Sequence, residues 1–289
     1  MNDKQDSYAA MIREAIRQHP PMPAMVKQVM LELRNPEVNY AQLADRMRMD
    51  PGVTMNVLKL ANSSAFVGTR QVDSLQQAFV RLGTRRLFQI VLAQNVAGRL
   101  AARLDGYELE PGALLRHSLC VALTAESLAK RLKLSFSETV FTAGLLHDMG
   151  KLVMDRFLVA AKPLVRKKLD ESADPFDRIE HALFNIAHPD AGALLMETWQ
   201  FPSDLVEIVR LHHHPTDSST FGNAALIVHW ADTLSYSQGF GDGVDGFRYE
   251  VFGQADKMLG LGPKDVERIA SETLEKIKEM EDILTGTKK

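Results

Sequence analysis

Apolar residues recur at helical spacing in segment after segment of this chain, and nowhere do they alternate with polar ones for long enough to build a sheet. Met22, Met25, Val29 and Leu33 open the series behind Pro20, Pro21 and Pro23, which predicts a helix over 22–34 after a polar lead of about one turn. A short helix is expected over Tyr40–Met49. Asp50 and Pro51 then supply a cap and a first-turn proline for a helix to Leu60. Ser74 with Gln77 forms a capping box for a helix to Leu82, Gly83 breaks it, and Thr84 caps another from Arg85 to Leu104. Further periods cover Ala113–Leu132, Phe136–Asp148, Leu152–Leu169, Asp177–Ile186, Pro189–Trp199, Leu205–His213, Asn223–Tyr236, Glu250–Leu259 and Lys264–Met280. Aromatic residues are only 7% and Ala and Leu dominate the apolar set, which also favours helices. The expected fold class is all-α.

The stretch DGYELEPG, Asp105 to Gly112, interrupts the apolar period with turn residues and a proline, and the first boundary is expected near residue 110. The glycine-rich GFGDGVDG, residues 239–246, reads as a flexible surface loop and marks a second. Three parts follow: 1–110, 111–238 and 239–289.

Several function classes can be set aside early. Lys plus Arg is 34 against 37 for Asp plus Glu, so a net charge of -3 does not advertise nucleic acid or an anionic membrane surface. The basic clusters at Arg81, Arg85 and Arg86, and from Lys162, read as solvated helix faces. No run approaches the roughly 18 apolar residues of a membrane span. The single Cys120 excludes an internal disulfide framework and CxxC zinc sites and fits a reducing compartment, so a cytoplasmic protein is expected.

Chemistry concentrates in the histidines. His117 shares a stripe with Leu114, Val121, Ala125 and Leu128, which suits a core histidine as well as a ligand. His147 and Asp148 in AGLLHDMGK follow an apolar helix and together offer nitrogen and oxygen to a borderline divalent metal. His188 in AHPDAGALL sits at a proline-marked helix start. Beyond Leu205, Ile208 and Val209, His212 and His213 continue the inward face, whereas His214 falls on the polar one. Asp232 occupies an otherwise apolar face in ALIVHWADTL, where a buried carboxylate must be paired, protonated or coordinated. His229, three residues earlier, is the local alternative partner or a supporting donor. Scattered buried polar groups would each need a partner of their own, whereas one metal centre satisfies all seven inward residues together.

These residues bring the chain close to a known family. PPMPAMVKQVMLEL from Pro20, DPGVTMNVLKLANSSAF from Asp50, SLQQAFVRLGTRRL from Ser74, HSLCVAL from His117, GLLHDMGKL from Gly144, HPDAG from His188, LHHHP from Leu211 and HWADTL from His229 resemble the HDOD proteins. These are relatives of the HD and HD-GYP metal-dependent phosphohydrolases. The resemblance implies an N-terminal helical module packed on an HD-like helical core, and a role in bacterial signal transduction through contact with other signalling proteins. It implies one or two divalent metal ions, and histidine-rich, carboxylate-bridged ligation permits iron, manganese or zinc. One would be held by His117, His147, Asp148 and Asp232, and a second by His188, His212, His213 and a bridging Asp148. The alternative is a metal-dependent phosphohydrolase acting on a nucleotide or another small phosphorylated ligand, with Lys151 as a phosphate contact. Two departures narrow what is implied. The chain reads HHHPTDSST where HD-GYP enzymes carry their GYP segment, which argues against cyclic-dinucleotide hydrolysis. Ala113 stands where trinuclear relatives carry a glutamate, which argues against a third metal.

Overall fold

The computed structural model describes residues 2–22, 45, 47, 48, 51–62, 71–217, 222–241, 243–246, 248, 249 and 255–285. Among them the regular elements are helices, and the one pair of β-bonded residues is an isolated bridge between Leu104 and Leu109. The all-α expectation is met. The helices expected over 22–34 and, for most of its length, over Tyr40–Met49 lie outside the described residues. No helix among the described residues is long and apolar enough to cross a membrane.

The chain divides into two compact units, Met1–Pro21 with Arg99–Ile277, and Met22–Gly98 with Lys278–Lys289. In the second unit run α2, Pro51–Ala61, and most of α3, Leu75–Leu100. Ser74 Oγ accepts the Gln77 N–H and Gln77 Oε1 accepts that of Asp73, which is the N-terminal signal read from the sequence. Gly83, at φ 74° and ψ 160°, kinks α3 where a break was expected.

The first unit begins with α1, Asn2–Arg17, where only a polar lead was expected. Its first turn is polar, but Ala9, Ile12 and Ile16 follow at helical spacing and are buried, and that face seats the helix. The unit continues through α4, Ala113–Arg131, α5, Ser137–Leu146, α6, Lys151–Ala160, α7, Lys162–Glu171, α8, Phe176–Phe184, α9, His188–Thr198, α10, Ser203–Arg210, α11, Gly222–Ser237, and α12, Ala255–Met258, to most of α13, Pro263–Thr285. The single helix expected over Leu152–Leu169 is in fact α6 and α7, parted at Ala161, because Pro163 cannot continue α6 but suits the first turn of α7. At the centre, α4 is buried on almost every side and packs against α5 and α11.

One close approach sets the site. Gly150, between α5 and α6, lies directly against the start of α9, and a Cβ there would stand 1.9 Å from the His188 carbonyl oxygen and 2.6 Å from the Gly192 nitrogen. Glycine is what allows the turn carrying His147 and Asp148 to touch the helix carrying His188.

Candidate metal centre

All seven inward residues meet in the first unit, and none is more than 6% exposed. They come from separate elements: His117 from α4, His147 and Asp148 from the turn after α5, His188 from the start of α9, His212 and His213 from the turn after α10, and Asp232 from α11. Helix α10 ends at Arg210, so His212 and His213 turn inward from the following turn rather than from the helix face. Their donor atoms form three overlapping groups, His188 with His212 and His213, His117 with His147 and Asp148, and His147 with His212 and Asp232, each spanning no more than 4.8 Å.

The orientation of the rings is the informative part. His117 Nδ1 donates to the Phe240 carbonyl at 3.2 Å, His147 Nδ1 to that of Gly144 at 2.7 Å, and His212 Nδ1 to that of Val209 at 2.6 Å. His188 Nδ1 donates to Glu180 Oε2 at 2.7 Å. With Nδ1 carrying the proton, each Nε2 presents a lone pair to the centre. Nε2 of His117 and of His147 face each other at 3.2 Å, and two lone pairs cannot bond each other. Nε2 of His188 and of His213 lie 3.1 Å apart. Asp148 Oδ1, Asp232 Oδ1, His212 Nε2 and His213 Nδ1 are buried without a hydrogen bond of sound geometry. Each such orphan costs about 1–3 kcal/mol, and a cation among them would satisfy them together. The donor set of imidazole nitrogens and carboxylate oxygens is one that iron, manganese and zinc accept. The residues present therefore fit a divalent metal.

Charge in the cluster is correspondingly uneven. Burial works against the Asp148 and Asp232 carboxylates, but His147 and Lys151 hold Asp148 well below the usual range, and His117 and His147 hold Asp232 at about 2. Burial, with His147 and His188 adding to it, pushes the His212 imidazole down to about 3. Burial likewise opposes protonation of His147 and His188, but Asp148 beside the first and Glu180 beside the second outweigh it and raise both.

The remaining sequence candidates separate clearly. Lys151 is fully buried, with Nζ 2.7 Å from Asp148 Oδ2 and 2.6 Å from Asp245 Oδ2. His229 Nδ1 donates to the His212 carbonyl at 2.8 Å, which steadies the His212–His213 turn. His214 lies at the edge, partly exposed, with Nε2 2.9 Å from Asp177 Oδ2.

Four residues that sequence reasoning did not single out complete the surroundings. Glu180 Oε2 accepts both the backbone N–H and Nδ1–H of His188, and the Tyr107 hydroxyl donates to Oε1. Asp245 also accepts the Tyr249 hydroxyl at 2.6 Å, and the Tyr249 ring stacks on His213 with centroids 4.1 Å apart. Asp245 belongs to the glycine-rich segment expected to be a flexible surface loop. Its described residues instead pack on the cluster. The Val244 N–H donates to the Tyr107 carbonyl at 2.8 Å, and a Cβ at Gly243 would meet Asp245 Oδ1 at 2.6 Å and the Tyr107 carbonyl at 2.7 Å, so the glycine permits the packing rather than marking freedom. Glu180 could have been found, since it stands four residues from both Phe176 and Phe184 on one buried stripe. Asp245 carries no such signal.

Comparison with known proteins gives a consistent picture. The HDOD domain family matches residues 19–215. A protein of Treponema pallidum (strain Nichols), itself uncharacterized, is 25% identical over 210 residues, 71% of this chain, and the match spans 40% of that relative's length. An HDOD domain protein of unknown function from Geobacter sulfurreducens superposes with a TM-score of 0.74 at 23% identity, over 98% of this chain and 97% of its own. A candidate phosphohydrolase from Shewanella amazonensis superposes with a TM-score of 0.71 at 23% identity, over 94% of this chain and 97% of its own. At these identities the two structures establish the shared helical fold.

Proposed function

The chain belongs to the HDOD domain family, and from that premise we propose that it is a bacterial signal-transduction protein that retains an HD-type divalent metal centre and acts through contact with other signalling proteins. His117, His147, Asp148 and Asp232 hold one ion in this reading. Asp148, His188, His212 and His213 hold a second, with Asp148 between them. Bound there, the ions would supply Lewis acidity and lower the pKa of a coordinated water. The chain's own residues orient the imidazoles through Phe240, Gly144, Val209 and Glu180, and the segment bearing Asp245 covers them.

The observation that carries a regulatory role over a catalytic one is the placement of Lys151. Its ammonium, the cation in contact with the cluster, is already shared by two buried carboxylates. A phosphoester arriving at the ligands would have to displace Asp245 to reach it. A covered centre of this kind joins five helices and their turns without needing turnover.

A second reading, metal-dependent phosphohydrolase, is favoured by one feature. Tyr249, whose ring stacks on His213, also lines a surface cavity of about 850 Å3 together with Arg178, Arg248, Asp170 and Glu171. A phosphate held there would be one aromatic ring away from the ligands.

The deciding experiment loads the purified chain with iron, manganese or zinc and assays cyclic dinucleotides, nucleotides and simple phosphoesters beside Asp148→Ala. The regulatory reading expects each ion that binds to raise the melting temperature, with no turnover above the Asp148→Ala background. Fast turnover that Asp148→Ala abolishes establishes the hydrolase instead.

A further inference from the structure

The described ligand histidines that pin Nδ1 do not do so in the same way. His117, His147 and His212 donate to neutral backbone carbonyls, and His188 alone among these four donates to a carboxylate. The Glu180 carboxylate is itself wholly buried and doubly engaged by His188, through the backbone N–H at 2.8 Å and Nδ1–H at 2.7 Å. On its other oxygen it takes the hydroxyl of Tyr107, a fully buried side chain.

We propose that Glu180 is a positioning residue that makes His188 the strongest imidazole donor of the cluster, and that Tyr107 tempers it. The inference rests on the metal reading above and adds an asymmetry between its two ions. An imidazole whose Nδ1–H is drawn toward a carboxylate carries more electron density on Nε2 than one bonded to a peptide carbonyl, so it binds a cation more tightly. A hydroxyl donating to that carboxylate withdraws some of the density. The ion held by His188, His212 and His213 therefore depends on Glu180, and the ion held by His117, His147 and Asp232 does not. Backbone geometry reinforces the effect, because the same oxygen that takes Nδ1–H also fixes the first N–H of α9, so ring and helix start are held as one.

The test titrates the metal-free full-length chain with Co2+ against a chromophoric chelator and reads the two binding steps separately. Glu180→Gln is expected to weaken one step by about 10- to 100-fold and leave the other within about twofold. Tyr107→Phe is expected to tighten the same step, since it removes the tempering hydroxyl. A merely structural role predicts the opposite pattern, both variants weakening both steps in proportion to a lowered melting temperature of the metal-free protein, and that result overturns the proposal. Wild-type affinity for both ions in Glu180→Gln also overturns it. Should Glu180→Gln not fold, Tyr107→Phe decides alone, unchanged or weakened binding of the His188 ion being the adverse result. A wild-type chain that takes up no Co2+ rejects the metal centre itself, a failure distinct from two ions bound without regard to Glu180.

Discussion

Lys151 Nζ and Asp245 Oδ2 lie 2.6 Å apart in an ion pair that solvent does not reach, and Asp148 Oδ2 completes the bridge at 2.7 Å. The pair joins the first residue of α6 to a segment far along the chain, and it makes a glycine-rich stretch part of the covered centre. Burial disfavours the ammonium, but the two carboxylates outweigh it and raise the lysine above its ordinary value.

Removing the lysine is therefore expected to cost more than removing the loop carboxylate. In the metal-free protein Lys151→Met takes the shared ammonium from both Asp148 and Asp245, for about 3–5 kcal/mol, whereas Asp245→Asn leaves Lys151 paired with Asp148. Urea denaturation of both variants measures the difference, and equal midpoints would show that the bridge is not shared as described.

Ligand roles are expected to separate in metal content. Asp148→Ala should lose more metal than His188→Ala, because Asp148 serves both ions in the proposed centre and His188 one. His214→Ala should keep full occupancy, since His214 pairs with Asp177 outside the cluster. Elemental analysis after growth with ample iron, manganese and zinc reads all three, and loss of metal on His214→Ala would redraw the ligand set.

Two glycines should respond in opposite directions to alanine. Gly150→Ala drives a methyl into the His188 carbonyl and is expected to cost about 1–3 kcal/mol and to lower metal affinity without altering any ligand side chain. Gly98→Ala, on an exposed turn of α3 with no atom within 4 Å of the new methyl, should stabilise by about 0.5–1 kcal/mol. Thermal unfolding of the two variants checks both signs.

Cys120 should be inert until the chain unfolds. Burial pushes its thiol from 9.0 up to about 12, with Asp232 adding a little and Thr124 opposing. A raised value means that this contribution to stability is whole below pH 9 and is lost as pH climbs toward 12. At pH 8 the thiolate fraction falls about 1,000-fold, and Ellman's reagent is expected to find no thiol in the native protein and one after denaturation. Rapid native labelling would contradict the burial of α4 at this point.

Much of the site was legible because helical phase is a local property. His117 lies on a face whose neighbours three and four residues away are apolar, Asp232 follows Ala225 and Val228 on one stripe, and Gly150 marks the turn that presents His147 and Asp148. What escaped was set by distant partners or by residues with two readings. Asp245 gains its meaning only from Lys151, and Tyr107 only from Glu180, contacts that no spacing announces. Glycines near residue 243 suit a loose loop and a tightly packed one equally well, and packing chose the second. Pro163 was a local signal, and it divided a helix whose apolar period ran on without interruption.

The ligand set also bears on how the protein is made. His117 is the first of its members to leave the ribosome and Asp232 the last, with Asp245, which covers the rest, later still. Synthesis proceeds at about 5–20 residues per second, so for several seconds a nascent chain offers histidines whose remaining partners do not yet exist. Any metal they catch in that interval is held by fewer donors than the finished centre provides and can still exchange. In the proposed centre, selection of the ion would thus be tied to the final closure of the fold, and the metal supply at that moment, rather than at initiation, would decide what the mature protein carries.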